Sequence, residues 1–291
     1  MITQDHALIT AMITPFTPDN TLNLDEAARI AQHLVATGSD AIVLSGTTGE
    51  SPTLTHDEEL QLYDAVLAAV TCPLIAGTGS NCTQTAINAT QAAQRMGVHA
   101  SLQVVPYYNR PSQAGLYAHF MAIADASEIP LILYTIPSRT GVHLALETIL
   151  DLATHPQIIG IKDATGTCED INAIHDAQPD FLIYTGDDAL IYPALHAGAT
   201  GVVSVASHLV GRELRSLIQA YHRQDIPMAS QISTRLMPLF KALFMTTNPV
   251  PIKAALAKIG FAVGSPRLPL MPLTPDEDRA LSTVLAQFGL I

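Results

Sequence analysis

Short, almost wholly apolar runs alternate with longer amphipathic ones along most of the chain. Eight of the short runs read as strands: Leu8–Phe16, Ala41–Ser45, Leu74–Gly77, Leu102–Val105, Leu131–Tyr134, Ile158–Lys162, Leu182–Thr185 and Gly201–Val205. Most are apolar at successive positions rather than at every second one, as strands covered on both faces of a parallel sheet are. Their ends recur at intervals of about 20 to 32 residues, the length of one strand–helix unit. Helix signals lie between them. Asn23-Leu24-Asp25-Glu26 has capping-box form, and the helix it opens is expected to stop at Gly38. Thr55-His56-Asp57-Glu58 repeats the signal ahead of Leu60–Val70, and the run Thr83–Met96 ends at Gly97. After the eighth strand the alternation stops. Helical patterning dominates from Val210 onward, broken by Pro227, Pro249, Pro251 and the Pro-rich stretch Gly264–Pro275. The pattern predicts a (β/α)8 TIM barrel over residues 1–209 and a C-terminal helical extension over 210–291. No linker-like segment separates the two, so the extension is expected to pack on the barrel.

Composition narrows this picture. A chain of 291 residues fits one α/β barrel with additions. With 48% hydrophobic and 14% charged residues, much surface should be buried, some of it between subunits. The formal charge of −12, with no basic stripe, argues against nucleic acid or an anionic membrane surface as partner. An anionic substrate must then be met locally, by an arginine or by backbone N–H groups. The long uncharged stretch Ala65–Gln94 is interrupted by Pro73 and by glycines, so it does not read as a membrane span. Met1-Ile2-Thr3-Gln4-Asp5 lacks a basic n-region and an apolar h-region, and no signal peptide is read. Cys72, Cys82 and Cys168 have neither disulfide-framework nor zinc-site spacing, which suits a reduced, cytoplasmic protein. The 11 histidines lack paired metal-ligand spacing, and no metal is expected. Gly77-Thr78-Gly79 fails to complete a dinucleotide fingerprint, since Cys82 stands where the last glycine belongs. Asp187-Asp188 reads as a helix cap more readily than as a cation site.

Barrels place reactive groups at the C-terminal ends of their strands. The sixth run ends at Lys162, and of the four lysines it alone closes a run that reads as a buried strand. A charged ammonium beside an apolar interior is costly, which favours the neutral amine, and a neutral amine attacks carbonyls to form Schiff bases. Taken alone, a strand-end lysine more simply snorkels to solvent. Its neighbours on the rim reverse that judgement. Tyr134 ends the adjacent strand and offers a phenol for proton transfer. Thr47 and Thr48, flanked by glycines, offer hydroxyls and close backbone N–H groups to a carboxylate. Arg139 offers a bidentate grip on a second carboxylate.

These segments carry a resemblance. The chain resembles the dihydrodipicolinate synthase family of the pyruvate-dependent class I aldolases, nearly end to end. The similarity rests on Thr14-Pro15-Phe16, Gly46-Thr47-Thr48-Gly49-Glu50-Ser51, Ala76-Gly77-Thr78-Gly79 and Pro106-Tyr107-Tyr108-Asn109-Arg110-Pro111. It continues through Pro137-Ser138-Arg139-Thr140-Gly141, Gly160-Ile161-Lys162-Asp163-Ala164-Thr165-Gly166, Asn248-Pro249-Val250-Pro251-Ile252-Lys253 and Arg267-Leu268-Pro269. The resemblance implies that Lys162 condenses with pyruvate and that the derived enamine attacks L-aspartate 4-semialdehyde, in lysine and diaminopimelate synthesis. Tyr134, Thr47 and Tyr108 would relay protons, with Tyr108 reaching in from a neighbouring subunit. Thr48 would hold the pyruvate carboxylate and Arg139 that of the semialdehyde. Gly186 and the carbonyl of Val203 would line the pocket. It implies no cofactor beyond the covalent imine, and a homotetramer built as a dimer of dimers.

The resemblance also implies an interface site for L-lysine feedback, at Ser51, His56, Glu59, Asn81, Thr85 and Tyr107. Adjacent residues of an extended segment point to opposite sides, so Tyr107 should face the interface if Tyr108 faces a catalytic site. Lysine-inhibited relatives carry a glutamate where this chain has Thr85, and Glu59 stands where some have histidine. Weak or absent lysine inhibition is therefore expected. Thr135 stands where relatives often have asparagine, and Asp163 where glutamate is common. Two rival readings use the same residues. An N-acetylneuraminate lyase or 2-keto-3-deoxy sugar acid aldolase shares the lysine and tyrosine, but Arg139 within Ser-Arg-Thr-Gly suits a carboxylate better than a polyol. A non-catalytic small-molecule-binding barrel is disfavoured by the intact set of Lys162, Tyr134, Thr47 and Tyr108.

Overall fold

In the structure, a computed structural model describing residues 2–291, all eight apolar runs form strands of one closed parallel barrel. They are β1 (Leu8–Ala11), β2 (Ala41–Leu44), β3 (Leu74–Gly77), β4 (Ala100–Val104), β5 (Leu131–Thr135), β6 (Ile158–Asp163), β7 (Leu182–Thr185) and β8 (Gly201–Ser204). Each pairs with its successor, and β8 closes on β1 through Ile9 opposite Val203. Side chains alternate between two apolar environments. Ile9, Val43, Ile75, Ile132, Tyr134, Tyr184 and Val203 fill the barrel interior. Their neighbours Leu8, Ile42, Leu44, Leu133 and Ile183 pack outward under the helices. Both faces are buried, so most of the strands read as continuous apolar runs.

The helices are α1 (Leu24–Ala36), α2 (His56–Ala69), α3 (Thr83–Met96), α4 (Gln113–Asp125), the single turn α5 (Pro137–Thr140), α6 (Leu146–Leu152), α7 (Glu169–Ala177), α8 (Ile191–His196), α9 (Ser207–His222), α10 (Ile226–Leu243), α11 (Val250–Lys258) and α12 (Pro275–Gln287). Thr55 and Glu58 form a complete capping box on α2. Asn23 caps α1 through the Glu26 N–H, but the Glu26 carboxylate is taken by Arg29 and by the Ala262 N–H, so that box is only half made. Pro227, expected as a helix breaker, sits in the first turn of α10, where its missing N–H costs nothing. Pro251 does the same in α11. The first strand ends at Ala11 rather than Phe16, because Met12 makes the last ladder-like bond before the chain turns away to meet the extension at Val263. A division at 209/210 falls inside α9, at Val210, where the backbone leaves helical geometry. α9 packs on β1 and α1, in the position of the barrel's eighth outer helix. α10, α11 and α12 then pack against one another and share the core beneath β1, β2 and β8.

One irregularity decides where Lys162 points. Leu131 pairs with Ile158, but Ile132 pairs with Gly160, so β6 carries an extra residue there. Strict alternation from the outward Ile158 would send Lys162 outward too. The bulge re-aims it, and Lys162 lies between Tyr134 and Tyr184, on the interior face.

Candidate active site

Lys162 is 7% exposed, and its Nζ lies 4.4 Å from the centroid of the Tyr134 ring. The ring face attracts a cation, while the surrounding Ile132, Tyr184 and Val203 supply no charge. Gly186, after β7, borders the lysine stem. A Cβ at that position would sit 2.8 Å from Lys162 Cε and 2.9 Å from Ala164 Cβ, so only glycine leaves the stem its path. Val203 lies on the adjoining strand and is buried.

Thr47 sits where two spaces meet. It lines a small recess with Ser45, Gly46 and Tyr134. It also lines a cavity of about 410 Å³ whose wall includes Ile136, Arg139 and Thr140. Gly77 borders both, and a Cβ there would lie 2.3 Å from the Ser45 carbonyl oxygen. Thr48 is buried, and its hydroxyl accepts a hydrogen bond from Asn248 Nδ2 at 2.9 Å. A hydroxyl that accepts there keeps its own proton free to donate. The main-chain carbonyl of Asn248 in turn accepts from Arg139 Nη2 at 3.3 Å. Asn248 thus ties Thr48 to Arg139, and its Oδ1 is buried without a protein partner. Asn248 lies in the segment Asn248-Pro249-Val250-Pro251-Ile252-Lys253, where no local pattern marks this role.

Tyr108 is elsewhere. It is 90% exposed, with φ of +74°, and borders neither space. Tyr107 does line the larger cavity, together with Ser51, Glu59 and Thr85. Within one chain, these four share a wall with Thr47 and Arg139 rather than forming a separate pocket. His56 and Asn81 do not line it. His56 Nδ1 approaches the Glu59 carboxylate at 3.6 Å, and the Asn81 carbonyl accepts from Asn109 Nδ2. Burial pushes the Glu59 carboxyl up to about 7.

Asp187 caps the turn that follows β7 through the Ala189 N–H. Asp188 is wholly buried. It accepts from Ser204 Oγ at 2.5 Å and from the Val205 and Ala206 N–H groups, which pins the end of β8. Burial raises its carboxyl to about 6 against those bonds. Asp163, likewise buried, accepts from the Thr165 N–H, and burial again raises it. Thr135 Oγ1 lies 3.5 Å from the Leu144 N–H, a weak contact at the mouth of the loop after β5. Among the described residues, no group of three or more His, Cys, Asp or Glu side chains is placed to hold a metal ion. Nor, among those residues, is any helix long and apolar enough to cross a membrane.

A closed parallel barrel with an amine and a phenol side by side at the C-terminal ends of adjacent strands places the protein in the class of (β/α)8 barrels. Comparison with known proteins gives the branch. Residues 4–288 match the model of the dihydrodipicolinate synthetase family, and the chain belongs to that family. It is 54% identical over 287 residues to a 4-hydroxy-tetrahydrodipicolinate synthase of Synechococcus elongatus, covering 97% of this chain and 96% of the relative. Among solved structures, dihydrodipicolinate synthase from Cyanidioschyzon merolae with lysine bound superposes with a TM-score of 0.97 at 44% identity, over 100% of both chains. A dihydrodipicolinate synthase from Bacillus anthracis gives 0.95 at 42% identity, over 98% of this chain and 99% of that one.

Proposed function

We propose that the protein is a 4-hydroxy-tetrahydrodipicolinate synthase, a lyase that condenses pyruvate with L-aspartate 4-semialdehyde through an imine on Lys162. The observation that carries the reading is the Lys162 amine facing Tyr134 inside the barrel mouth, with its Nζ over the ring. Family membership and the S. elongatus relative support the choice of substrates.

The neutral Lys162 amine attacks C2 of pyruvate, and the carbinolamine loses water to give the imine. Loss of a C3 proton gives the enamine, whose C3 forms a bond to the aldehyde carbon of the semialdehyde. The aldehyde oxygen takes a proton and becomes the 4-hydroxyl. The substrate amino group then attacks the imine carbon, the ring closes, and the Lys162 amine leaves. The imine nitrogen accepts the electron pair when the C3 proton leaves and returns it when C3 attacks the aldehyde, so the reaction calls for no further cofactor. Tyr134 and Thr47 share a recess and pass protons between these species. The free Thr48 proton donates to the pyruvate carboxylate, and Arg139 holds the semialdehyde carboxylate at the far wall. Gly186 and Val203 shape the floor. Tyr108 completes the relay in the site of a partner subunit of a homotetramer. The enzyme serves cytoplasmic lysine and diaminopimelate synthesis. Ser51, His56, Glu59, Asn81, Thr85 and Tyr107 form an interface site that responds weakly or not at all to L-lysine, because Thr85 supplies no charge to its amine.

Pyruvate consumption, with the semialdehyde and N-acetylmannosamine offered in parallel, tests this reading. Turnover with the semialdehyde alone, lost in Lys162→Ala, is the expected result. Turnover with the sugar alone would keep the imine chemistry and overturn the role given to Arg139. Failure of borohydride to trap pyruvate on Lys162 would leave only a binding protein.

A further inference from the structure

Lys162 is not the only buried lysine. Lys253, in α11 of the C-terminal extension, has a side chain 1% exposed and faces Glu50, whose side chain is fully buried. Its three protons are all used: Nζ donates to Glu50 Oε1 at 2.7 Å, to the Thr14 carbonyl at 3.1 Å and to the Ser265 carbonyl at 3.3 Å. The other carboxylate oxygen of Glu50 accepts from the Arg267 N–H at 2.8 Å. Both cations lie over the Phe16 ring, with Lys253 Nζ 4.3 Å and the Arg267 guanidinium carbon 4.2 Å from its centroid. Four separate pieces of chain converge here: the segment after β1, the loop after β2, α11, and the stretch that follows α11.

Glu50 closes the loop that bears Thr47 and Thr48. That loop is coiled tightly: the Glu50 N–H returns to the Thr47 carbonyl, and the Ser51 N–H to that of Gly46. The Thr14 hydroxyl holds the Gly49 carbonyl at 2.7 Å. Glu50 itself adopts a left-handed backbone, φ of +57°, which a non-glycine residue holds only when its surroundings impose it. An apolar side chain of similar size would fill the space without the cost of burying two charges, so packing alone does not account for an ion pair here. What the pair adds is direction and reach, because a carboxylate bound on both oxygens fixes the loop against α11 to within a hydrogen bond.

We infer that Glu50 and Lys253 are positioning residues, which seat the Thr47–Thr48 loop so that the Thr48 hydroxyl meets the pyruvate carboxylate. The inference rests on the proposed role of Thr48. It gives the C-terminal extension a task in the site, since Asn248, at the entrance to α11, holds the same hydroxyl directly.

The test is steady-state kinetics with each substrate varied, on Glu50→Asp, which keeps the charge but shortens the reach by one methylene. Because pyruvate binds and leaves water before the aldehyde enters, kcat/KM for each substrate reports its own half of the reaction. The expected result is a fall of at least about tenfold in kcat/KM for pyruvate and a clearly smaller fall for the semialdehyde, since Thr48 meets pyruvate while Thr47, on the same loop, serves both halves. Should Glu50→Asp fail to fold, the double variant Glu50→Gln/Lys253→Met removes both charges without leaving either unpaired, and the same split is expected. A folded variant with unchanged kcat/KM for pyruvate overturns the inference, as does an equal loss for both substrates, which marks a structural role only. A wild-type protein that gives no borohydride-trapped pyruvate adduct would remove the proposed function, and the inference with it. A trapped adduct with unchanged variant kinetics would remove the inference alone.

Discussion

Glu59 lies in the wall of the larger cavity, with the His56 imidazole 3.6 Å from its carboxylate and the buried Tyr63 one turn away. Burial moves its carboxyl from 4.5 to about 7. The unfolded chain releases this proton near 4.5 and the folded chain holds it to about 7. Ionisation therefore favours unfolding, and the penalty is absent below pH 4.5, grows between 4.5 and 7, and is complete above. The difference corresponds to roughly 3 kcal/mol as an upper bound. Glu59→Gln should thus raise the melting temperature by several degrees at pH 8 and hardly at all at pH 4.5. Calorimetry at the two pH values checks this, and equal shifts at both would show that the glutamine acts through packing. Glu59 was visible in the sequence only as a departure from a pattern, and its burial was not. Lys253 shows why. Lys162 stood out because it closes an apolar strand, whereas Lys253 is buried by a glutamate 203 residues away, and no local pattern records that. Asn248 and Thr48, 200 residues apart, escaped for the same reason.

The loop and helix that follow β2 combine local and distant control. Thr55 caps α2 through the Glu58 N–H, and Glu58 returns a bond to the Thr55 N–H. Glu58 also pairs with Arg267, whose guanidinium holds its carboxyl down at about 2. Thr55→Ala removes the hydroxyl and leaves both bonds of Glu58 in place. It should lower stability by about 1 kcal/mol. Both values of kcat/KM should stay unchanged, because the Thr47–Thr48 loop is fixed independently through Glu50. A urea titration measures the first and the two-substrate assay the second. A selective loss for pyruvate would mean that the cap, not the ion pair, seats the loop. This cap was legible because both of its partners lie within one turn. The Asn23 signal was half right, since Glu26 turns instead to Arg29 and to the Ala262 N–H, 236 residues along. Most of the strands were legible because both faces are buried and apolar, although β4 carries the buried polar Ser101 and Gln103 on one face; the strand ends were not legible, since pairing rather than composition sets them. The bulge between Ile158 and Gly160 left no mark in the apolar run, although it alone brings Lys162 to the inner face.

At the scale of the whole molecule, one tyrosine is unaccounted for within a single chain. Tyr108 projects from a left-handed backbone, 90% exposed and away from its own site, while the adjacent Tyr107 turns into the cavity. A strained, solvent-facing aromatic is costly unless something covers it. If the proposed homotetramer covers it with a partner's active site, Lys162 and the Tyr108 that serves it come from different chains. Lys162→Ala and Tyr108→Phe should then each reduce activity severely, yet complement one another. In a mixed dimer, the Tyr108→Phe chain keeps its lysine and receives an intact tyrosine from its partner. Random pairing at equal amounts makes about half of the dimers mixed, with one working site of two, so about a quarter of wild-type activity should return. Co-expression in equal amounts under one shared tag, followed by assay of all the purified protein, measures it. Tyr108 acting within its own chain would put both lesions where they cannot be separated by mixing: the Lys162→Ala chain would stay dead, the Tyr108→Phe chain would keep only its residual rate, and no activity would be regained.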